Sequence, residues 1–289
     1  MQIINLKAPA KINLHLDVLA KRRDGFHDIE TIFEKIGLCD EISLSRQRQG
    51  ITVFCRHKDV PKDASNLGFR AARLLLAKTG CAGGVRIKIV KRIPVACGLG
   101  GGSSDAASVL LGLNELLGLK QTRPQLLKIA KELGADVPFF ILGQTGAIGR
   151  GKGDILTPLR VERKSWYILV IPEFRVFTPM MYKALRIALT KVPRSVKIVL
   201  HALKTGNLTA FDKYSYNSFE PVLIKKYREI SKIKKALKSC GVNAAKVSGS
   251  GPCVFGIART RKEAMDISKK LRATGEAWRV IVTKTYQNH

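Results

Sequence analysis

Apolar positions recur along this chain in two rhythms, and each predicts its own kind of element. In Val85–Val90 every second residue is apolar, with Arg86 and Lys88 between, so this segment predicts a half-exposed strand that Pro94 brings to an end. Ile3–Leu6 and Ile12–Leu19 read as two strands broken by Ala8-Pro9-Ala10-Lys11. Glu30–Ile36, Glu41–Leu44 and Ile51–Cys55 read as three more. The spacing changes to that of a helix at Asn66–Lys78, where Leu67, Ala71, Leu74 and Leu75 share a face. It does so again at Ser103–Leu117 and at Arg123–Leu133, which Gly134 ends. Glycines then crowd between Gly143 and Gly153, where no regular element is assigned.

The second half mixes the two rhythms. Trp166–Ile171 predicts a buried strand. Thr178–Thr190, Ile198–Lys204, Pro221–Ser239 and Arg261–Arg272 predict helices. Ala245–Ser248, Cys253–Ala258 and Val280–Thr283 predict strands. That order is expected of an antiparallel sheet backed by helices, an α+β protein. The glycine and proline region near Asp154–Arg163 places the break between two domains there, giving 1–157 and 158–289.

Composition narrows the class. Of 289 residues, 45% are apolar and 25% charged, as in a globular protein. No apolar run reaches the roughly 18–20 residues needed to cross a bilayer. Met1–Ala10 lacks a signal peptide's apolar stretch, so the expected place is the cytoplasm. Six cysteines stand apart with no Cys-x-x-Cys pair and no histidine at ligand spacing, so reduced thiols are expected and no structural metal. The charge is the outlying feature: 51 Lys and Arg against 22 Asp and Glu give +29. It is densest at Lys225–Lys238, where Tyr227, Ile230, Ile233 and Leu237 share one helical face. The lysines there line either a solvated face or a polyanion-binding helix; non-specific attraction of nucleotides and RNA follows in both cases.

Candidate chemistry concentrates in one loop. Pro94-Val95-Ala96-Cys97-Gly98-Leu99-Gly100-Gly101-Gly102-Ser103-Ser104 joins a strand to an apolar helix. Glycines let the main chain approach a ligand, and a helix start offers unpaired N–H groups with partial positive charge. Together they form a phosphate cradle, to which the two serines add hydroxyls. Gly146–Gly153 comes near the Walker A pattern but lacks the Ser or Thr after Lys152, and Ser103 stands where a dinucleotide fingerprint has its last glycine. Lys11 and Asn13 leave one strand face, either as a surface pair or as a buried functional one. Asp136, after a helix and before Val-Pro-Phe-Phe, reads either as a turn aspartate or as a base partnered by Lys11.

These segments together resemble the GHMP-type kinases nearly end to end. The resemblance is carried by Ala8-Pro9-Ala10-Lys11-Ile12-Asn13-Leu14, Lys21–His27, Gly98–Ala107, Ala135–Phe140, Asn217 with Glu220, and Ser248–Pro252. The Asp24-Gly25-Phe26-His27 and Ala135-Asp136-Val137-Pro138 elements are particular to the branch that acts on 4-diphosphocytidyl-2-C-methyl-D-erythritol. The resemblance implies a two-domain fold, the first domain like ribosomal S5 domain 2 and the second ferredoxin-like, with ATP and substrate meeting between them. It implies ATP with its Mg²⁺ as donor, and Lys11 and Asp136 as the catalytic pair acting on the substrate's 2-hydroxyl. It further implies residues 94–104 as the ATP loop, Asn13, Phe26 and His27 as substrate contacts, and Thr178 and Tyr182 beside the cytosine. No protein ligand to a metal, no membrane and no specific nucleic acid is expected, and the chain is expected to be a monomer or weak homodimer. Relatives often have Tyr in place of Phe26, and glycines in place of Ala96 and Cys97. Two rivals remain: a sibling kinase for homoserine or mevalonate, which leaves Lys21–His27 without a purpose, and an RNA-binding protein, which leaves Asp136 and the loop serines without one.

Overall fold

Two long strands stand where the sequence suggested four short ones. The computed structural model describes residues 2–185 and 196–287. In it β1 runs unbroken over Ile3–Lys21 and β2 over His27–Gln47. Proline's fixed φ is compatible with extended backbone, and Ala8 and Ala10 are fully buried, small enough for β1 to pass its neighbours without bending. In β2, Gly37 continues the strand past Lys284 O and Thr283 Oγ1, each 3.4 Å from where a Cβ would stand. β1 pairs with β2.

The chain forms two compact units, each assembled from separate stretches. One holds Met1–Ala10, Leu38–Val95 and Gly100–Gln144; the other holds Lys11–Gly37, Ala96–Leu99 and Thr145–His289.

In the first unit, Glu41–Gln47 of β2 pairs antiparallel with β4 (Gly84–Val90), and β4 pairs parallel with β3 (Ile51–Cys55). The helices are α1 (Leu67–Thr79), α2 (Gly101–Leu116), α3 (Arg123–Leu133) and α4 (Val137–Ile141). Asn66 starts α1 by accepting from the Gly68 and Phe69 amides at 2.8 and 3.2 Å, a cap worth about 1 kcal/mol. α2 is buried on most of its surface. Its Gly112 admits Leu6 and Leu44 to within 2.5 and 2.6 Å of where a Cβ would be, so any larger residue there would push the helix off the sheet.

In the second unit, Thr31–Glu34 of β2 pairs with β5 (Gly146–Arg150), which pairs with β6 (Ile155–Leu159). β6 lies in the stretch where a break between domains was expected, and β5 occupies the glycine-rich stretch that carried no assignment. Glycine serves there for close packing: a Cβ on Gly149 would lie 2.7 Å from the Phe33 ring. A separate antiparallel sheet contains β7 (Trp166–Ile171), β8 (Ala245–Val247), β9 (Val254–Ala258) and β10 (Arg279–Lys284), in the order β10-β7-β9-β8. That is the 4-1-3-2 order of a ferredoxin-like sheet. Its helices are α5 (Thr178–Ala184), α6 (Val196–Thr205), α7 (Leu208–Tyr214), α8 (Glu220–Lys226), α9 (Arg228–Ser239) and α10 (Arg261–Ala273).

Two helix expectations need correction. The helix expected over Pro221–Ser239 breaks at Tyr227 (φ −129°, ψ 96°), whose ring stacks on Phe174 at 4.5 Å. Only Ile230, Ile233 and Leu237 then form the buried face of α9. The helix expected over Thr178–Thr190 stops at Ala184, with Leu185 extended; 186–190 lie outside the described residues. Among the described residues, no helix is long and apolar enough to cross a membrane.

One buried acid in this unit has a measurable consequence. Glu34 is fully enclosed and accepts from Tyr167 Oη (2.8 Å) and Thr285 Oγ1 (2.7 Å); burial raises its pKa to about 7. The folded protein therefore holds this proton more tightly than the unfolded chain, whose carboxyl titrates near 4.5. The stability it confers is complete below that value and is lost as pH rises towards 7, by up to about 3 kcal/mol. Glu34→Gln keeps the acceptor oxygen and removes the titration. Thermal unfolding across this range should show wild type losing stability relative to Glu34→Gln as pH rises. Parallel curves would mean that Glu34 is ionised throughout.

Candidate active site

Alternation along β1 sends Lys11, Asn13 and His15 to one face, and all three are buried. A surface pair at Lys11 and Asn13 is thereby ruled out. Lys11 Nζ donates to Asn13 Oδ1 at 2.6 Å and sits 5.4 Å from the centre of the Phe33 ring. Asn13 Nδ2 donates to Thr31 Oγ1 at 2.8 Å, and Thr31 Oγ1 donates to His15 O at 2.7 Å. The relay fixes the amide so that its oxygen faces the ammonium. No sequence motif marked Thr31; only the position of β2 beside β1 brings it here.

The middle of the glycine run is held against the same strand. Lys11 N donates to Leu99 O at 2.9 Å. Gly98 has φ 76°, and a Cβ on it would lie 2.1 Å from Ser248 O. Ser248 Oγ donates to Gly98 O at 2.9 Å and accepts from Asn13 N at 3.3 Å. Ser248–Gly251 is thus a turn after β8, packed on Gly98. Asn217 Nδ2 holds that turn through Val247 O and Gly249 O (2.7 and 2.9 Å), and Glu220 accepts from Val247 N at 3.2 Å. Both residues belonged to the sequence resemblance; their structural work is to buttress this turn.

The expected substrate contacts also lie in the second unit. The His27 and Tyr182 rings stack at 4.8 Å, and Tyr182 meets Phe219 edge-on at 4.9 Å. Burial, aided by the Lys21 charge, lowers the His27 pKa, which favours a neutral imidazole. The Thr178 and Ser250 hydroxyls share a hydrogen bond of 2.8 Å. Phe26 is exposed, with Lys152 Nζ 4.6 Å from its ring centre.

The rest of the loop belongs to the first unit. Pro94 and Val95 lead in, Gly100 caps α2 at φ 68°, and Gly101 through Ser104 form its first turn. Ala96, Gly98 and Gly100 all have positive φ. Alternation of this kind turns successive amides towards one side, as in an anion-binding nest. Ala96 adopts φ 57° without being glycine, at a cost of about 1–2 kcal/mol. Asp136 precedes α4 with φ −83° and ψ −17° and makes no side-chain cap. Its carboxylate is therefore not committed to the helix end. The aromatic residues after it, Phe139 and Phe140, are buried.

Comparison with known proteins extends this geometry. The chain matches the models for the GHMP kinases N terminal domain over 66–144 and the GHMP kinases C terminal domain over 199–277. It is 40% identical to a 4-diphosphocytidyl-2-C-methyl-D-erythritol kinase of Geobacter metallireducens, over 98% of this chain and 99% of that protein. The chain belongs to the 4-diphosphocytidyl-2-C-methyl-D-erythritol kinase family of GHMP kinases. A solved 4-(cytidine 5'-diphospho)-2C-methyl-D-erythritol kinase superposes with a TM-score of 0.84 at 35% identity, covering 98% of this chain and 100% of that one. A homoserine kinase from Cytophaga hutchinsonii shares the fold with a TM-score of 0.79 at 21% identity, covering 100% and 96%. As a member of this family the chain is a phosphotransferase, and GHMP kinases use ATP.

Proposed function

We propose that the chain transfers the γ-phosphate of ATP to the 2-hydroxyl of 4-diphosphocytidyl-2-C-methyl-D-erythritol. The products are the 2-phosphate and ADP, in a cytoplasmic step of the non-mevalonate pathway to isoprenoid precursors. The supporting observation is the buried Lys11–Asn13 pair, locked by Lys11 N to Leu99 of the glycine loop. A buried ammonium is costly unless hydrogen-bonded, and this one is fixed on the strand that the loop grips.

Phosphoryl transfer to an alcohol needs an anchored polyphosphate, relief of charge on the moving group and an oriented hydroxyl. Residues 94–104 anchor the polyphosphate through backbone amides. Mg²⁺ carried by ATP neutralises phosphate charge when bound; the Ser103 and Ser104 hydroxyls are oxygen donors of the kind it prefers, and the buried Ser104 Oγ has no hydrogen-bond partner among the described residues. Asp136 accepts the hydroxyl proton as the bond to phosphorus forms, and Lys11 orients that hydroxyl and stabilises the developing charge. Asn13, Phe26, His27 and Thr178 hold the substrate, and Tyr182, with His27 stacked on it, offers an aromatic face to the cytosine.

A substrate panel tests this directly. With ATP and Mg²⁺, the cytidyl diphosphate alcohol should give ADP and an equal amount of a phosphomonoester at the 2-position, seen by phosphorus NMR. Homoserine and mevalonate should give none. Turnover of either at comparable kcat/KM, or no turnover of the cytidyl compound, would overturn the assignment.

A further inference from the structure

Beneath the first turn of α2 lies a buried set of charges that the proposed chemistry does not use. Lys91 Nζ stands 2.5 Å from Asp40 Oδ2 and 2.8 Å from Asp105 Oδ2, and the three side chains are 4%, 0% and 6% exposed. Asp40 Oδ1 also accepts from the amides of Arg92 (2.5 Å) and Ile93 (2.9 Å), which fixes the chain just ahead of Pro94. Asp105 lies one turn into α2. The ammonium itself is 2.9 Å from where a Cβ on Gly101 would be, so it rests directly against the first residue of the helix. Asp105 Oδ1 and Ser104 Oγ are buried with no hydrogen-bond partner among the described residues.

For the fold alone this arrangement is a poor choice. A helix N-terminus already carries partial positive charge, so a cation there opposes the helix dipole. Burying three ionisable groups costs more than apolar packing of the same volume would. Desolvation raises the Asp105 carboxyl pKa to about 7, with the Lys91 charge pulling it back and Asp40 adding to the rise. A cation under the helix start becomes favourable once an anion sits above the amides.

We infer that Lys91 is a positioning residue for the ATP polyphosphate: held between Asp40 and Asp105 against Gly101, it fixes the start of α2 and places a positive charge behind the amides that face the phosphates. The inference rests on the kinase reading above and adds to it the source of nucleotide affinity. Removing the ammonium leaves two uncompensated carboxylates under the loop, and the polyphosphate then meets a negative potential.

The test reads nucleotide binding by calorimetry with Mg-ADP at pH 8, so that it does not depend on the acceptor, together with steady-state kinetics. Lys91→Met should weaken ADP binding and raise the KM for ATP by about tenfold or more, the size of effect expected when a buried charge loses its partner. The KM for the alcohol should stay within about threefold. Adding Asp105→Asn to Lys91→Met should restore ADP binding to within about threefold of wild type, because it removes one uncompensated carboxylate. A purely structural strut would lower Tm and the active fraction while leaving the KM for ATP unchanged. That result, or no recovery in the double variant, overturns the inference. If Lys91→Met does not fold, Asp105→Asn alone decides the matter: it leaves Lys91 balanced by Asp40 only and should tighten ADP binding, whereas unchanged or weaker binding overturns the inference. Wild-type protein that binds no Mg-ADP would overturn the kinase reading itself, while wild-type binding that Lys91→Met leaves unaltered overturns only the role of Lys91.

Discussion

Asp136→Asn is expected to lower kcat by about 10²–10⁴-fold while ATP binding stays near the wild-type value. Asparagine matches the shape of aspartate but cannot accept a proton at neutral pH. Asp136 supplies no side-chain cap to α4, so the substitution removes no hydrogen bond that starts the helix. Rapid-quench measurement of ADP formation, alongside calorimetric titration of the nucleotide, separates the two quantities. Turnover within tenfold of wild type would mean that another group takes the proton. A parallel loss of nucleotide affinity would place Asp136 in ATP binding instead.

The second large effect is expected at Gly98. Its φ of 76° is left-handed, and a Cβ would stand 2.1 Å from the carbonyl oxygen of Ser248. The φ alone disfavours an L-residue by about 1–2 kcal/mol, and overpacking adds about 1–3 kcal/mol. The obstructing atom belongs to a backbone that Asn217 pins through Val247 O and Gly249 O, so it cannot move aside cheaply. Gly98→Ala should lower Tm by roughly 5–10 °C and abolish ADP formation, since the loop it strains is joined to Lys11 through Leu99 and the turn it displaces is joined to Asn13 through Ser248. A variant of unchanged Tm and activity would show that the turn accommodates a side chain.

Much of the fold was legible where local chemistry and tertiary packing agree. α1 begins at Asn66, whose side chain caps it. α3 begins where Thr122 N donates to Gln125 Oε1 at 2.7 Å. α10 begins where Thr260 caps Glu263. Each start is held by hydrogen bonding between residues close in sequence. The errors fell where packing overrides propensity. Proline in β1 suggested a break, yet the strand is sealed by buried alanines. Glycines at 146 and 149 suggested a loop, yet they are small so that β5 can lie against β2 and Phe33. Tyr227 continued the helical rhythm, yet its stacking on Phe174 ends α8.

The candidate site was legible in a different way. The glycine run predicts an anion cradle because glycines ahead of a helix start let the main chain approach a ligand. Lys11 and Asn13 could be placed on one face but not assigned to the interior, because alternation gives a period without saying which side faces water. The buried relay through Thr31, and the charges of Lys91, Asp40 and Asp105, come from residues far apart in sequence with no shared motif. The pairing of β1, β2 and β4 and the packing of α2 bring them together.

Threading of the chain through both units has a practical result. β1 and β2 each give one end to either unit, so no single cut of the gene yields a self-sufficient fragment. A polypeptide ending at Gln144 would carry away residues 11–37, leaving the remainder without the strand that β5 needs. Isolating either unit therefore means excising the other's internal stretches and rejoining the ends, rather than truncating the chain.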